Sequence, residues 1–181
     1  MDKLAPADII QFWRDAGPDK WFAANECFDR EIRTRFLTSH EAASRGELAP
    51  WEDSPGGALA LLILLDQFPR NMFRGAARAF ATDALARRIA EKALTRGFDR
   101  SVDGAMRPFF YLPFMHSEAL VDQDRCLQLF GALGDAEQLK YAVIHRDIIW
   151  RFGRFPHRND ILGRATTPAE RRFLDEGGFA G

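Results

Sequence analysis

The run ALALLILL, Ala58 to Leu65, most limits what this chain can fold into. It is rich in Ala and Leu, with Ile63 its only β-branched residue, so it reads as helix rather than strand. A helix apolar on every side must be surrounded by others, which makes it the central helix of an all-helical domain. Ser54-Pro55 supplies an N-cap and a first helical residue, and the run passes through Asp66-Gln67 into Phe68-Pro69.

The rest of the chain provides the surrounding helices. Pro6 opens one through ADIIQFWRDA, which Gly17-Pro18 ends. A short WF segment leads to a second, from about Asn25 to Gly46, with Phe28, Ile32 and Phe36 on its inner stripe. TDALARRIAEKALTRG starts near Thr82 and closes on Gly97. The segment from Ala105 to Gly134 reads as two pieces broken around Pro113, followed by a helix through AEQLKYAVIHRDIIWRFG. Thr167-Pro168-Ala169-Glu170 is a capping box for a short last helix. Short links punctuated by Gly and Pro make neighbours antiparallel, so the expectation is one all-α domain over residues 1–181, built of stacked helical hairpins. No sustained repeat of ~34 residues and no tetratricopeptide consensus runs through it.

Charge and composition exclude several functions. Of 181 residues, 25 are Lys or Arg and 26 Asp or Glu, so there is no electrostatic case for a nucleic-acid or anionic-membrane binder. The apolar run falls far short of the ~20 residues a membrane-spanning helix needs. The amino-terminal MDKLAPADII does not read as a secretory signal. Cys27 and Cys126 stand alone, without Cys-x-x-Cys spacing. Together these point to a cytoplasmic protein with reduced thiols.

Two strings echo each other: FPRN, Phe68 to Asn71, and FPHRN, Phe155 to Asn159. As architecture, each proline stops a helix, Arg70 or Arg158 serves the orphaned carbonyls, and Asn71 or Asn159 takes a left-handed turn. As a site, Arg151, Arg154, Arg158 and Arg164, with His157 and Asn159, form a receptor for a carboxylate or phosphate. Asp66, buried at the end of the central helix, requires a partner such as Arg70. In PFMHSEALVDQD, His116 precedes a helix, Ser117 caps it, and Glu118 and Asp122 share a face. His145 lies on an apolar stripe, where a hydrogen-bonded core role competes with a catalytic one. No metal or cofactor motif reaches recognisable spacing.

The strings WFxxxxxFDxxIxxxF, LALLILLDQFPRNMFRG, FATD, RPFFYLPFMHSE and HRDIIWRFGRFPHRNDILGR resemble the family catalogued as domain of unknown function 924. The resemblance implies an all-α, tetratricopeptide-repeat-like superhelix from a mostly bacterial family without an assigned activity. It carries over no catalytic residues.

Two functions follow as expectations. One is a binding module that holds a peptide, a chain terminus or another small anionic group through the Arg, Asn and His side chains of the two motifs. The other is a small-molecule enzyme, such as a hydrolase, using His116, Glu118, His145 or His157 as base or ligand.

Overall fold

The computed structural model describes residues 4–179, and among these every regular element is helical. The chain divides into two compact units, residues 1–74 with 78–113, and residues 75–77 with 114–181.

In the first unit, α1 (Pro6–Ala16), α2 (Pro18–Trp21) and α3 (Glu26–Ser44) lead to α4 (Pro55–Leu62). Asn25 and Ser54 cap α3 and α4 by accepting the amides of Phe28 and Gly57. All of Gly57 to Leu65 is buried, which makes this the central helix. Around it Phe12, Trp13, Phe28, Phe36, Phe68 and Phe109 form a continuous set of ring contacts, Phe36 and Phe68 being 4.8 Å apart.

Pro69 does not stop this helix. The backbone passes from α4 through a π turn at Ile63–Gln67 directly into α5 (Phe68–Met72). The wider turn lets the Phe68 amide reach the Ile63 carbonyl, but Pro69 has no amide hydrogen to reach back in turn. Side chains also donate to the carbonyls of this stretch. The Leu64 carbonyl accepts His40 Nδ1 at 2.9 Å, Leu65 accepts Thr82 Oγ1 at 2.5 Å, and Asp66 accepts Arg70 Nη1 at 2.5 Å. Thr82 precedes α6 (Asp83–Thr95) without capping it, its hydroxyl being turned to Leu65. Gly97 then adopts the left-handed conformation expected after that helix.

A short turn, α7 (Leu112–Met115), leads into α8 (Leu120–Leu133) and α9 (Ala136–Phe152). Pro113 lies inside α7, and the break comes later, across residues 116–119. Gln123 holds that break. Wholly buried, its Nε2 donates to the carbonyls of Phe114, Met115 and Ser117. α8 and α9 pack as a hairpin through the Gly134-Asp135 turn. Gly153, not Pro156, ends α9, at φ +68°. FPHRN follows as a single tight turn at Pro156–Arg158, and α10 (Pro168–Asp175) begins with the expected Thr167–Glu170 capping box. Among the described residues no non-glycine residue has positive φ, so neither Asn71 nor Asn159 occupies a left-handed turn.

Candidate functional site

The two Phe-Pro motifs lie in different units, and each finds hydrogen-bond partners within its own. In the first unit, Arg70 grips Asp83 with two bonds of 3.0 Å and lies 3.5 Å from Asp66. Gln67 donates to the Asp66 carboxylate at 2.5 Å. Asn71 donates to Asp29, which also receives a two-bonded fork from Arg74. Phe68 is fully buried among the rings described above. Asp66, Arg70 and Asn71 thus hold the π turn and tie α5 to α3 and α6.

In the second unit, the HSE and FPHRN strings do converge. Glu118 precedes α8 instead of sharing a face with Asp122, and its carboxylate meets the Arg164 fork at 2.7 and 3.0 Å. Glu118 also accepts the Phe155 amide at 2.9 Å, and Arg164 donates to the Phe155 carbonyl and Asn159 Oδ1. Burial alone pushes the Glu118 carboxyl up, but the Arg164 fork, the Phe155 amide and the Arg158 charge outweigh it and hold it below its usual range. Arg154 makes a second fork with Glu170, at 2.6 and 2.8 Å, and donates to the Ala165 carbonyl. Glu170 is the capping-box acid, so one side chain both closes α10 and neutralises Arg154.

The remaining candidates form a basic and aromatic group. Arg158, 7% exposed, lies with its guanidinium 4.4 Å from the Phe155 ring centre and donates Nη1 to the His116 carbonyl. His157 packs on Phe155 at 5.6 Å, and His145 meets the same ring edge-on at 5.4 Å. His145 is buried on α9, and because the Tyr141 carbonyl only accepts, its Nδ1 must be the donor of their 2.8 Å bond. Burial pushes its pKa down to about 3; the charges of His116, Arg158 and His157 add to that, while the bond to Tyr141 opposes it. His145 is therefore a neutral ring beside a cluster of cationic or protonatable groups.

Two nucleophilic side chains lie in this unit, Ser117 and Cys126. The Ser117 hydroxyl donates its one proton to Asp122 at 2.6 Å, and burial raises the Cys126 thiol to about 12. Among the described residues no group of three or more His, Cys, Asp or Glu side chains is placed to hold a metal ion.

Several residues that frame these groups carried no individual sequence signal: Asp29, His40, Asp83 and Gln123; Arg164 stood out as one of the arginines around FPHRN, but its pairing with Glu118 did not. Each depends on a partner distant in the chain, such as Asp29 with Asn71 or Arg164 with Glu118. Phe179, in the tail beyond α10, likewise gave none, yet its ring lies 4.5 Å from His145 and 5.7 Å from His157.

A family model described as a bacterial protein of unknown function, DUF924, matches residues 9–178. The chain belongs to the DUF924 family. A solved structure, the protein of unknown function ATU0120 from Agrobacterium tumefaciens, is similar at 52% identity with a TM-score of 0.92. That likeness covers 95% of this chain and 97% of the other, so the helical fold is shared along nearly their whole lengths. No curated protein matches. Among the described residues of this family member, no helix is long and apolar enough to cross a membrane.

Proposed function

We propose that this protein is a non-enzymatic binding module of the cytoplasm, its two units acting as one helical domain, and that it recognises an anionic group at His116, His157 and Arg158. The observation carrying this reading is that His145 of α9 and His157 and Arg158 of FPHRN all pack on the Phe155 ring, while Arg158 also donates to the His116 carbonyl. Guanidinium and imidazole side chains are the groups that recognise a carboxylate or phosphate through charge-assisted hydrogen bonds. Glu118, Arg154, Asn159 and Arg164 serve as the frame holding those donors, while Asp66, Arg70 and Asn71 stabilise the other unit. Neutral His145 contributes an apolar wall rather than a base.

Titration of the protein with inorganic phosphate and with acetate tests this reading. Arg158→Gln and His157→Gln should each weaken binding at least tenfold, whereas Arg45→Gln, which breaks an exposed ion pair with Glu47 in the other unit, should leave affinity unchanged. Equal affinity in all four proteins contradicts the proposal.

A further inference from the structure

The chain beyond α10 is turned sharply back onto the histidines. Gly177, at φ +79°, donates its amide to the Leu174 carbonyl at 3.1 Å, and Gly178 donates to the Phe173 carbonyl at 2.9 Å. A Cβ on Gly178 would fall 2.5 Å from both the Phe173 carbonyl oxygen and its ring, so only glycine fits there. This double-glycine turn lays the Phe179 ring 4.5 Å from His145 and 5.7 Å from His157, against the apolar group of Ile148, Ile149 and Phe155. His145 therefore touches two phenyl rings of different standing. Phe155 is wholly enclosed, whereas Phe179 is half-buried and carried by the segment beyond α10.

A further proton on His145 must go to Nε2, because Nδ1 already donates to the Tyr141 carbonyl. The acids on the elements packed around it are engaged elsewhere: Glu118 with Arg164, Asp124 with Arg146, Asp147 with Arg151 and Glu170 with Arg154. The groups whose charges do reach it, His116, Arg158 and His157, all oppose a second positive charge there. Phe179 adds to this by covering the ring and excluding water that would solvate an imidazolium.

We propose that residues 177–179 form an acid-released latch, in which Phe179 docks on neutral His145 and is let go when His145 takes up a proton. The coupling is reciprocal: whatever docking takes from the affinity of His145 for a proton, protonation takes from docking. Burial, with those three charges, holds the covered ring down at a pKa of about 3, and uncovering it moves that value up toward the ordinary 6.5. Docking is thus at full strength above the pKa of the uncovered ring. It weakens as pH falls from there to about 3, by up to about tenfold per pH unit.

The test is an NMR pH titration of the full chain, with relaxation of the Phe179 amide reporting the latch and the His145 ring reporting its own protonation. As pH is lowered from 7, the Phe179 amide should pass from ordered to mobile while Ile149, in the core of the same unit, stays ordered. Phe179→Ala should raise the His145 midpoint by at least about one pH unit. Gly178→Ala, which keeps the phenylalanine but misdirects it, should raise it as well and covers the case in which Phe179→Ala does not fold. In His145→Gln the order of Phe179 should no longer depend on pH. An unchanged His145 midpoint in the folded variants overturns the latch, as does a pH response of Phe179 that survives His145→Gln. Loss of order at Phe179 only together with Ile149 is unfolding and overturns it too.

Discussion

Glu118 and Arg164 face each other in a two-bonded fork, and the same carboxylate accepts the amide of Phe155 while the same guanidinium donates to its carbonyl. One ion pair therefore fixes both polar ends of the residue that opens FPHRN. Glu118→Ala leaves Arg164 half-buried without its acid and strips the Phe155 amide of its acceptor. It should destabilise the protein by roughly 1–3 kcal/mol, measured by chemical denaturation. A Glu118→Ala, Arg164→Ala double mutant should be less destabilised than the sum of the two single changes.

The π turn gives a second prediction. Thr82→Val keeps the side-chain volume but removes the donor to the buried Leu65 carbonyl, at a cost of about 1–3 kcal/mol. Pro69→Ala restores a backbone amide within reach of the Leu64 and Leu65 carbonyls, so it should offset part of the Thr82→Val loss. Strict additivity of the two changes would count against the account of why this proline sits inside a helix.

Glu170 titrates far from its ordinary range. The hydrogen bonds from Arg154, opposed by burial and helped by the Thr167 amide and hydroxyl, bring its pKa to about 2. A carboxyl depressed on folding contributes stability that is fully present above the unfolded-state value of about 4.3 and is lost as pH falls through about 2. In a carboxylate-resolved NMR titration Glu170 should show a midpoint near 2, and Arg154→Gln should move it up toward the ordinary value.

His145 works in the same direction at higher pH. Burial, with the neighbouring His116, Arg158 and His157 charges, depresses its pKa to about 3 despite the bond to Tyr141. The unfolded chain therefore binds a proton near pH 6.5 that the folded chain refuses until about pH 3. Its stabilisation is present above pH 6.5 and declines from there to pH 3, by up to about 1.4 kcal/mol per pH unit. His145→Gln should flatten the loss of stability between pH 7 and 4. An unchanged slope would mean that His145 protonates freely in the folded protein.

Local physics made much of the fold legible. The Ala-Leu run had to be an enclosed helix, and Asn25, Ser54 and the Thr167–Glu170 box marked helix starts correctly. The prolines of the two motifs misled for different reasons: α9 has already ended at Gly153 before Pro156, whereas the helix runs on through Pro69. At Pro69 distant donors, His40 and Thr82, serve the exposed carbonyls, and no local pattern announces them. The arginine excess was visible as composition, but its pairing was not. Arg154 with Glu170 and Arg164 with Glu118 are contacts between separated segments. Phe179 was still less visible, since its contact with His145 depends on the turn at Gly177 and Gly178.

The most direct test of anion recognition at His116, His157 and Arg158 is a histidine-resolved NMR titration of the full chain with inorganic phosphate at pH 7. The account predicts saturable shifts at His116 and His157, little change at His40 in the other unit, and loss of the response in Arg158→Gln. Shifts absent from both histidines, or equal at all four, would contradict it.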